Sequence, residues 1–319
     1  HEEGDTMRRP DLARTYRQIA AGGANWFYHG PLAKRVGAWM AEQGGVLAAD
    51  DFAAYQARRR DPISSSYRER TVVGFPPPSS GGIHVAQVLN ILEQFDLAAI
   101  YEDNPAQALH VVAEAMKRAF ADRAHWLGDA DFADVPRGLL DRDYASDLAA
   151  QIDLSQATVV LKHGLPPGWQ TDHLGRHTTH IAVADDAGYW VAITATINTS
   201  FGSKVIVPGT GIVLNNEMDD FSMQPGVPNA FGLVGAENNA IEPGKRPLSS
   251  MSPTIVIDAS GEPSLTLGAA GGPKIITQVI LTIVNHFDFG MPLDEAVAAP
   301  RIHHQWLPNQ LSVDKTVPV

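Results

Sequence analysis

Hydrophobic residues recur at steps of three and four through much of the first half of the chain, which is the spacing of amphipathic helices. The pattern is clearest where Leu109, Val112, Met116 and Phe120 follow one another. Proline at the start and glycine after the end mark several of these segments as complete helices. The predicted helices cover residues 11–23, 31–43, 49–60, 83–95, 105–127 and 141–152, with a first strand at 67–75.

The pattern changes near residue 178, after a polar stretch at 155–176 that predicts a long loop. Residues 179–183 and 190–197 flank the turn sequence Asp185-Asp186-Ala187-Gly188, which predicts a hairpin. Short extended segments, a loop and two helices complete the chain. They cover residues 205–207, 212–214, 224–247, 254–258, 264–267, 275–287 and 293–299. Helices, then strands, then helices again predict an α+β protein with sheets between helical layers.

Composition narrows the functional classes. The 319 residues carry a net charge of −12, so nucleic acid and anionic membranes are disfavoured as partners by repulsion. No apolar run reaches the length of a membrane span. The chain has no cysteine, which excludes disulfides, thiolate chemistry and a cysteine-based zinc site. His303 and His304 are adjacent on an extended segment, where side chains point apart, so we predict that they bind no metal.

Thr178 opens the predicted hairpin directly after the long loop, where a chain can be cut. If the bond between His177 and Thr178 breaks, Thr178 gains a free α-amino group with a reference pKa of about 7.7–8.0. That amine can accept the proton of the same residue's hydroxyl, which makes the threonine a nucleophile. A Thr-Thr dipeptide is by itself more often an ordinary part of a β-strand than a nucleophile. The nucleophile hypothesis therefore needs support from other residues of the chain.

Those residues come from several motifs that occur in one order along the chain. They are His177-Thr178-Thr179-His180 and the segments at 196–202, 215–221, 247–254 and 271–272, together with 76–82 and 299–308. In combination they closely resemble the γ-glutamyltranspeptidase family of N-terminal-nucleophile hydrolases. The resemblance covers nearly the whole chain.

The resemblance implies a four-layer αββα sandwich formed from a precursor that cleaves itself before Thr178. Residues 1–177 would be the C-terminal portion of the large subunit, and residues 178–319 the small subunit, paired in one composite domain. The family's large subunit normally begins well before His1 and its small subunit normally continues beyond Val319. We therefore expect the chain to be the central portion of a family member, with the sandwich incomplete at both ends.

The resemblance also implies the roles of individual residues. Thr178 would attack the γ-carbonyl of a γ-glutamyl compound, and Thr196 would hydrogen-bond to it. Backbone N–H groups of Gly271 and Gly272 would stabilise the oxyanion. The residues implied to bind the substrate's α-amino group are Asn198, Glu217 and Asp220, and those implied to bind its α-carboxylate are Ser249 and Ser250. No residue matches the arginine that the family uses to pair with that carboxylate.

The implied function is that of a γ-glutamyltranspeptidase or glutathione hydrolase, a self-cleaving zymogen that needs no cofactor. It would pass the γ-glutamyl group of a glutathione-like substrate to water or to an acceptor amine. The implied location is periplasmic or secreted. Two alternatives remain: an acylase on the same fold acting on glutaryl-type amides such as cephalosporin side chains, and an inactive, unprocessed scaffold.

Overall fold

The fold is described from a computed structural model, which describes residues 4–167, 179–229 and 231–315. Two compact units divide the chain. The first combines residues 1–58 with 197–216, and the second combines residues 59–196 with 217–319. The predicted division at 177/178 concerns subunits after cleavage and stays a prediction.

The first unit is helical and has a small apolar core. Its helices are α1 (Pro10–Tyr28), α2 (Pro31–Glu42) and α3 (Ala49–Ala54). Leu32 and Val36 of α2 are buried together with Val207, and tryptophan and phenylalanine rings surround them. The Thr15 hydroxyl donates to the Thr210 carbonyl at 2.7 Å, which ties α1 to the second segment of the unit.

The second unit is built on a four-stranded antiparallel sheet in the order β1-β2-β5-β6. Its strands are β1 (Ile63–Tyr67), β2 (Arg70–Gly74), β5 (Thr254–Ile257) and β6 (Pro263–Leu267). Arg68 and Glu69 both have positive φ angles, of 47° and 62°, and form the two-residue turn between β1 and β2.

Helix α4 (Gly81–Leu92) is buried along its whole length and packs on β1 and β2. Helices α6, α7 and α8 pack against it in turn. The helices of this unit besides α4 are α5 (Leu97–Asp103), α6 (Pro105–Trp126), α7 (Arg142–Ala149), α8 (Lys274–Phe287) and α9 (Leu293–Ala298). Among the described residues, no helix is both long and apolar enough to span a bilayer.

The predicted hairpin is present as β3 (His180–Ala184) paired with β4 (Trp190–Thr194). It lies against β5 and β6, and the Thr266 hydroxyl donates to the Val191 carbonyl at 3.3 Å. The short strands β7 (Ile302–His303) and β8 (Ser312–Val313) form a third sheet. Helices pack on the four-stranded sheet and the hairpin also packs against that sheet, so the predicted α+β class is confirmed.

Several predicted boundaries were wrong, each for a local reason. Helix α1 does not stop at Gly23, where φ is 62°; helix resumes beyond that kink and ends at Tyr28. Helix α3 ends at Ala54 rather than at residue 60. The predicted single strand at 67–75 is the second half of the β1–β2 hairpin. Strand β1 was missed because its three serines have little intrinsic preference for strands, and pairing with β2 supplies the stability.

The carboxylate of Asp288 fixes the β1–β2 turn to the end of α8. It accepts from the Tyr67 hydroxyl at 2.6 Å and from Nε of Arg68 at 2.8 Å. The Asp288 side chain is 3% exposed, so removing it breaks a largely buried ion pair and leaves the buried Tyr67 hydroxyl without its acceptor. We predict that Asp288→Ala lowers the free energy of unfolding by about 2 to 4 kcal/mol, measured by urea denaturation. Asp186→Ala, at the exposed hairpin turn, should change it by less than about 0.5 kcal/mol; equal losses would contradict the anchoring role.

Candidate active site

Ser249 and Ser250 lie in a buried segment that runs beside the loop preceding α4. The Ser249 amide donates to the Pro78 carbonyl, and the Ser80 amide donates to the Ser249 carbonyl, both at 2.8 Å. The Ser80 hydroxyl donates to the same Ser249 carbonyl, also at 2.8 Å. The Ser79 hydroxyl donates to the Met251 carbonyl at 2.7 Å. The two segments therefore form one rigid unit that fixes the serine pair.

Glycine at position 81 is what allows this approach. A Cβ atom there would overlap the Met251 carbonyl oxygen and would lie 2.6 Å from the Ser252 hydroxyl. Any larger residue would push the loop and residues 248–252 apart. The run of proline, serine and glycine before α4 is therefore part of the site's framework as well as a connection between strand and helix.

Asp220 lies at the end of a 3₁₀ turn, Glu217–Asp220, in which Glu217 is buried. The side-chain amide of Asn239 donates to the Asp220 carbonyl at 2.9 Å, and its oxygen accepts from the Leu248 amide at 2.8 Å. Asn239 is itself buried. The Asn239 side chain thus links the 217–220 turn, here called the acidic turn, to the start of residues 248–252, here called the serine segment.

Arg123, in the last turn of α6, is buried beside both segments. Its Nε donates to the Ser80 hydroxyl at 3.0 Å and its Nη2 donates to the Ser250 hydroxyl at 3.2 Å. Burial lowers the pKa of the guanidinium to about 10, and the negative charge of Asp220 opposes that shift. Arg123 therefore remains a cation at neutral pH.

Gly271 and Gly272 precede α8 and have φ angles of 127° and 60°, which side chains with a Cβ rarely adopt. Their amide N–H groups donate to no acceptor among the described residues. A Cβ on Gly272 would come within 2.9 Å of the Phe231 ring, so the 224–247 loop packs on the glycine pair. Two adjacent N–H groups beside a helix N-terminus can receive a developing negative charge.

Thr196 lies two residues after the end of β4, and the preceding Ala195 amide donates to the Thr179 carbonyl. His177 and Thr178 lie outside the described residues. Asn198 belongs to the first unit, has a φ of 76°, and donates through its side chain to the Asn216 carbonyl at 3.2 Å. The roles of these four residues stay predictions.

The roles predicted for Asp220, the serine pair and the glycine pair stay predictions. The structure adds Arg123, Asn239 and Ser80, which sequence reasoning did not single out, as hydrogen-bonding neighbours of the 217–220 turn and the serine pair. Arg123 was treated as part of a packing helix and Asn239 as part of a loop. Because α6 also carries Glu114, Lys117, Arg118 and Asp122, its local sequence does not single out Arg123.

Comparison with known proteins shows the family of the chain. The model of the family "Gamma-glutamyltranspeptidase" matches residues 1–319. The glutathione hydrolase proenzyme of Escherichia coli (strain K12) is 47% identical over 315 residues, which are 98% of this chain and 54% of that protein. The glutathione hydrolase proenzyme of Pseudomonas sp. (strain A14) is 43% identical over 316 residues, with the same two coverages.

A solved structure extends the comparison to the fold. The crystal structure of cephalosporin acylase from Bacillus halodurans superposes with a TM-score of 0.85 at 30% identity, over 99% of this chain and 54% of that one. The fold is that of an N-terminal-nucleophile hydrolase. Within that class, the chain belongs to the γ-glutamyltranspeptidase family. It spans about half the length of the relatives that it matches.

Asn239 offers a direct test of how the site is assembled. Asn239→Ala removes the acceptor of the Leu248 amide and the donor to the Asp220 carbonyl. We predict that the Leu248 amide exchanges with solvent at least about tenfold faster, because a lost buried hydrogen bond costs about 1–3 kcal/mol. Amide hydrogen exchange followed by NMR or mass spectrometry measures this. Gln310→Ala, which removes an exposed amide side chain, should leave Leu248 exchange unchanged.

Proposed function

We propose that the chain forms the catalytic centre of a γ-glutamyl hydrolase or transferase acting on glutathione-like substrates. The observation that carries the proposal is that Asn239 links the Asp220 carbonyl to the Leu248 amide just before the serine pair, while Arg123 lies beside both Ser250 and the Asp220 charge. A carboxylate beside two hydroxyls suits an amino-acid head group, because the carboxylate accepts from an ammonium and the hydroxyls donate to a carboxylate. The γ-glutamyl group of glutathione carries both groups on one carbon atom.

The hairpin register supports the assignment of the nucleophile. His180 pairs with Thr194, and each step outward along β3 is matched by one step along β4. An unbroken continuation of this register would set residue 178 opposite Thr196. We therefore expect the Thr178 hydroxyl to lie within reach of the Thr196 hydroxyl, as the family resemblance implies.

The proposed reaction has two steps. The Thr178 oxygen attacks the γ-carbonyl, its proton passes to the threonine's own α-amine, and the leaving amine takes a proton as the amide bond breaks. Gly271 and Gly272 would stabilise the oxyanion of each tetrahedral intermediate. Water or an acceptor amine then attacks the ester and restores the hydroxyl. The same hydroxyl, attacking the carbonyl of His177, would release the free amine during maturation.

Thr178→Ala tests the nucleophile. We predict a single uncut polypeptide on a denaturing gel and no release of p-nitroaniline from γ-glutamyl-p-nitroanilide, because neither cleavage nor acyl transfer has its hydroxyl. Thr179→Ala, the adjacent threonine, should still be cut. Cleavage before residue 178 in the Thr178→Ala protein would refute the assignment. A wild-type protein that stays intact and inactive would instead support the scaffold alternative.

The acylase alternative is favoured by the superposition on a cephalosporin acylase. A glutaryl group differs from a γ-glutamyl group by lacking the ammonium. A variant of Asp220, the residue proposed to bind that ammonium, should therefore affect only the γ-glutamyl activity. We predict that Asp220→Asn lowers kcat/KM for γ-glutamyl-p-nitroanilide by about 10- to 100-fold, the effect of losing a charge-assisted hydrogen bond. Activity on glutaryl-p-nitroanilide should not fall. Wild-type preference for the glutaryl substrate would identify an acylase instead.

Export to the periplasm or the medium, and pairing of two subunits after cleavage, follow from the family resemblance and form part of this proposal. N-terminal sequencing of the mature protein, isolated from separated cell fractions, tests both. We expect one polypeptide that begins at Thr178, recovered together with the segment that precedes it.

A further inference from the structure

The guanidinium of Arg123 has an unusual set of partners for a buried cation. Its side chain donates to the hydroxyls of Ser80 and Ser250, at 3.0 and 3.2 Å. Within the described residues it donates to these hydroxyls rather than to a carboxylate, although buried charges are usually paired with an opposite charge. Glu114, on the same helix, shows the usual arrangement: it contacts both Lys117 and Arg118.

Hydrogen-bond direction shows how these hydroxyls are used. A serine hydroxyl has one proton to donate and can accept two hydrogen bonds, whereas a guanidinium can only donate. The Ser80 hydroxyl accepts a hydrogen bond from Arg123 and donates its own proton to the Ser249 carbonyl, at 2.8 Å. Ser250 accepts from Arg123, and its proton meets no acceptor among the described residues.

The Ser249 hydroxyl, like that of Ser250, accepts a hydrogen bond from the protein. It accepts from the Met251 amide at 3.2 Å, and its proton likewise meets no acceptor in the described part of the chain. Both neighbouring hydroxyls are therefore held as acceptors by the protein and have their protons left to donate. Two neighbouring O–H donors, one of them hydrogen-bonded to a buried cation, can bind a carboxylate.

We propose that Arg123 is a positioning residue for the α-carboxylate of the donor substrate. It turns the Ser250 proton outward, holds the Ser249 backbone through Ser80, and supplies positive charge one hydroxyl away from the anion. The proposal rests on the proposed γ-glutamyl function and adds to it a residue on α6 that the family resemblance did not assign. Arg123 acts through the serines and does not itself touch the substrate.

The charge would act at short range in a site with little water. Arg123 is 5% exposed, Ser249 3% and Ser250 8%, so solvent screening between the guanidinium and a bound carboxylate is weak. A hydroxyl between two opposite charges keeps the cation hydrogen-bonded when the site is empty. The buried guanidinium therefore has hydrogen-bond acceptors even when no substrate is bound.

The test compares two substrates that differ only in the α-carboxylate. These are γ-glutamyl-p-nitroanilide and 4-aminobutanoyl-p-nitroanilide, which keeps the ammonium and the scissile amide. The readout is the ratio of kcat/KM for the first substrate to kcat/KM for the second. General damage to the fold or to the nucleophile lowers both values and leaves the ratio unchanged.

For Arg123→Gln we expect the ratio to fall by about 10- to 100-fold, as expected for loss of charge-assisted recognition of a carboxylate. The loss should appear mainly as a higher KM for γ-glutamyl-p-nitroanilide, with kcat changed by less than about threefold. Arg123→Lys keeps the charge but not the fork of donors, so its ratio should lie between those of wild type and Arg123→Gln.

Arg118→Gln is the matched control. Arg118 lies on the same helix and is equally buried, but it contacts Glu114 and the Gln151 carbonyl. Its loss should reduce thermal stability and leave the substrate ratio at the wild-type value.

An unchanged ratio in Arg123→Gln overturns the inference and leaves Arg123 a structural residue. If that variant does not fold, Arg123→Lys decides alone, because an unchanged ratio there has the same meaning. Wild-type turnover of neither substrate would instead overturn the proposed function, and this inference with it. The two failures are therefore distinguishable in one set of assays.

Discussion

The hydrogen bonds between the 76–82 loop and the 249–251 segment are the constraint on which the site depends. The two segments are separated by about 170 residues, yet the amide and the hydroxyl of Ser80 both donate to the Ser249 carbonyl, and the Ser249 amide donates to the Pro78 carbonyl. Gly81 makes the contact sterically feasible, since a Cβ atom there would overlap the Met251 carbonyl. Because the loop leads into the fully buried α4, the serine pair is fixed to the core rather than to a surface loop.

The buried charged residues of α6 have two roles: some hold the chain around residues 158–164, and Arg123 contacts the serine segment. Near its middle, Glu114 pairs with Lys117 and Arg118 and also accepts from the Thr158 hydroxyl. One residue before Arg123, Asp122 accepts from the Gly164 amide at 2.7 Å, and its burial raises the pKa of the carboxyl. These contacts hold the chain that leads towards the predicted cleavage point. Arg123 then extends the polar face of the helix to the serine segment.

Local patterns predicted the elements whose boundaries are set locally. Helices α2 and α6 begin at a proline, and the β3–β4 hairpin turns on the Asp185–Gly188 sequence, where the Asp185 side chain accepts from two following amides. Strand β1 escaped prediction because its stability comes from pairing with β2. A sequence pattern records such a partner only weakly.

The candidate site likewise contains residues that sequence motifs suggest and residues that only distant contacts reveal. The roles predicted for Asp220, the serine pair and the glycine pair come from the family resemblance, which depends on motifs and their order along the chain. Arg123, Asn239 and Ser80 support the acidic turn and the serine pair through contacts that span between 9 and 169 positions. Nothing in the local sequence of α6 distinguishes an arginine that pairs with a carboxylate, such as Arg118, from one that donates to hydroxyls. Only the three-dimensional arrangement separates the two roles.

The balance of charge in the site bears on which acyl group it prefers. Asp220 and Arg123 are near enough for the carboxylate to stabilise the guanidinium, so the empty site is already partly neutralised. A γ-glutamyl head group brings one positive and one negative charge, and each meets its opposite without changing the net charge of the site. A glutaryl group lacks the ammonium and leaves Asp220 without a ligand cation at a position partly removed from water. In the proposed binding mode a glutaryl group would cover the Asp220 carboxylate without supplying a cation, so we expect this pair of charges to favour a zwitterionic head group over the simple acid.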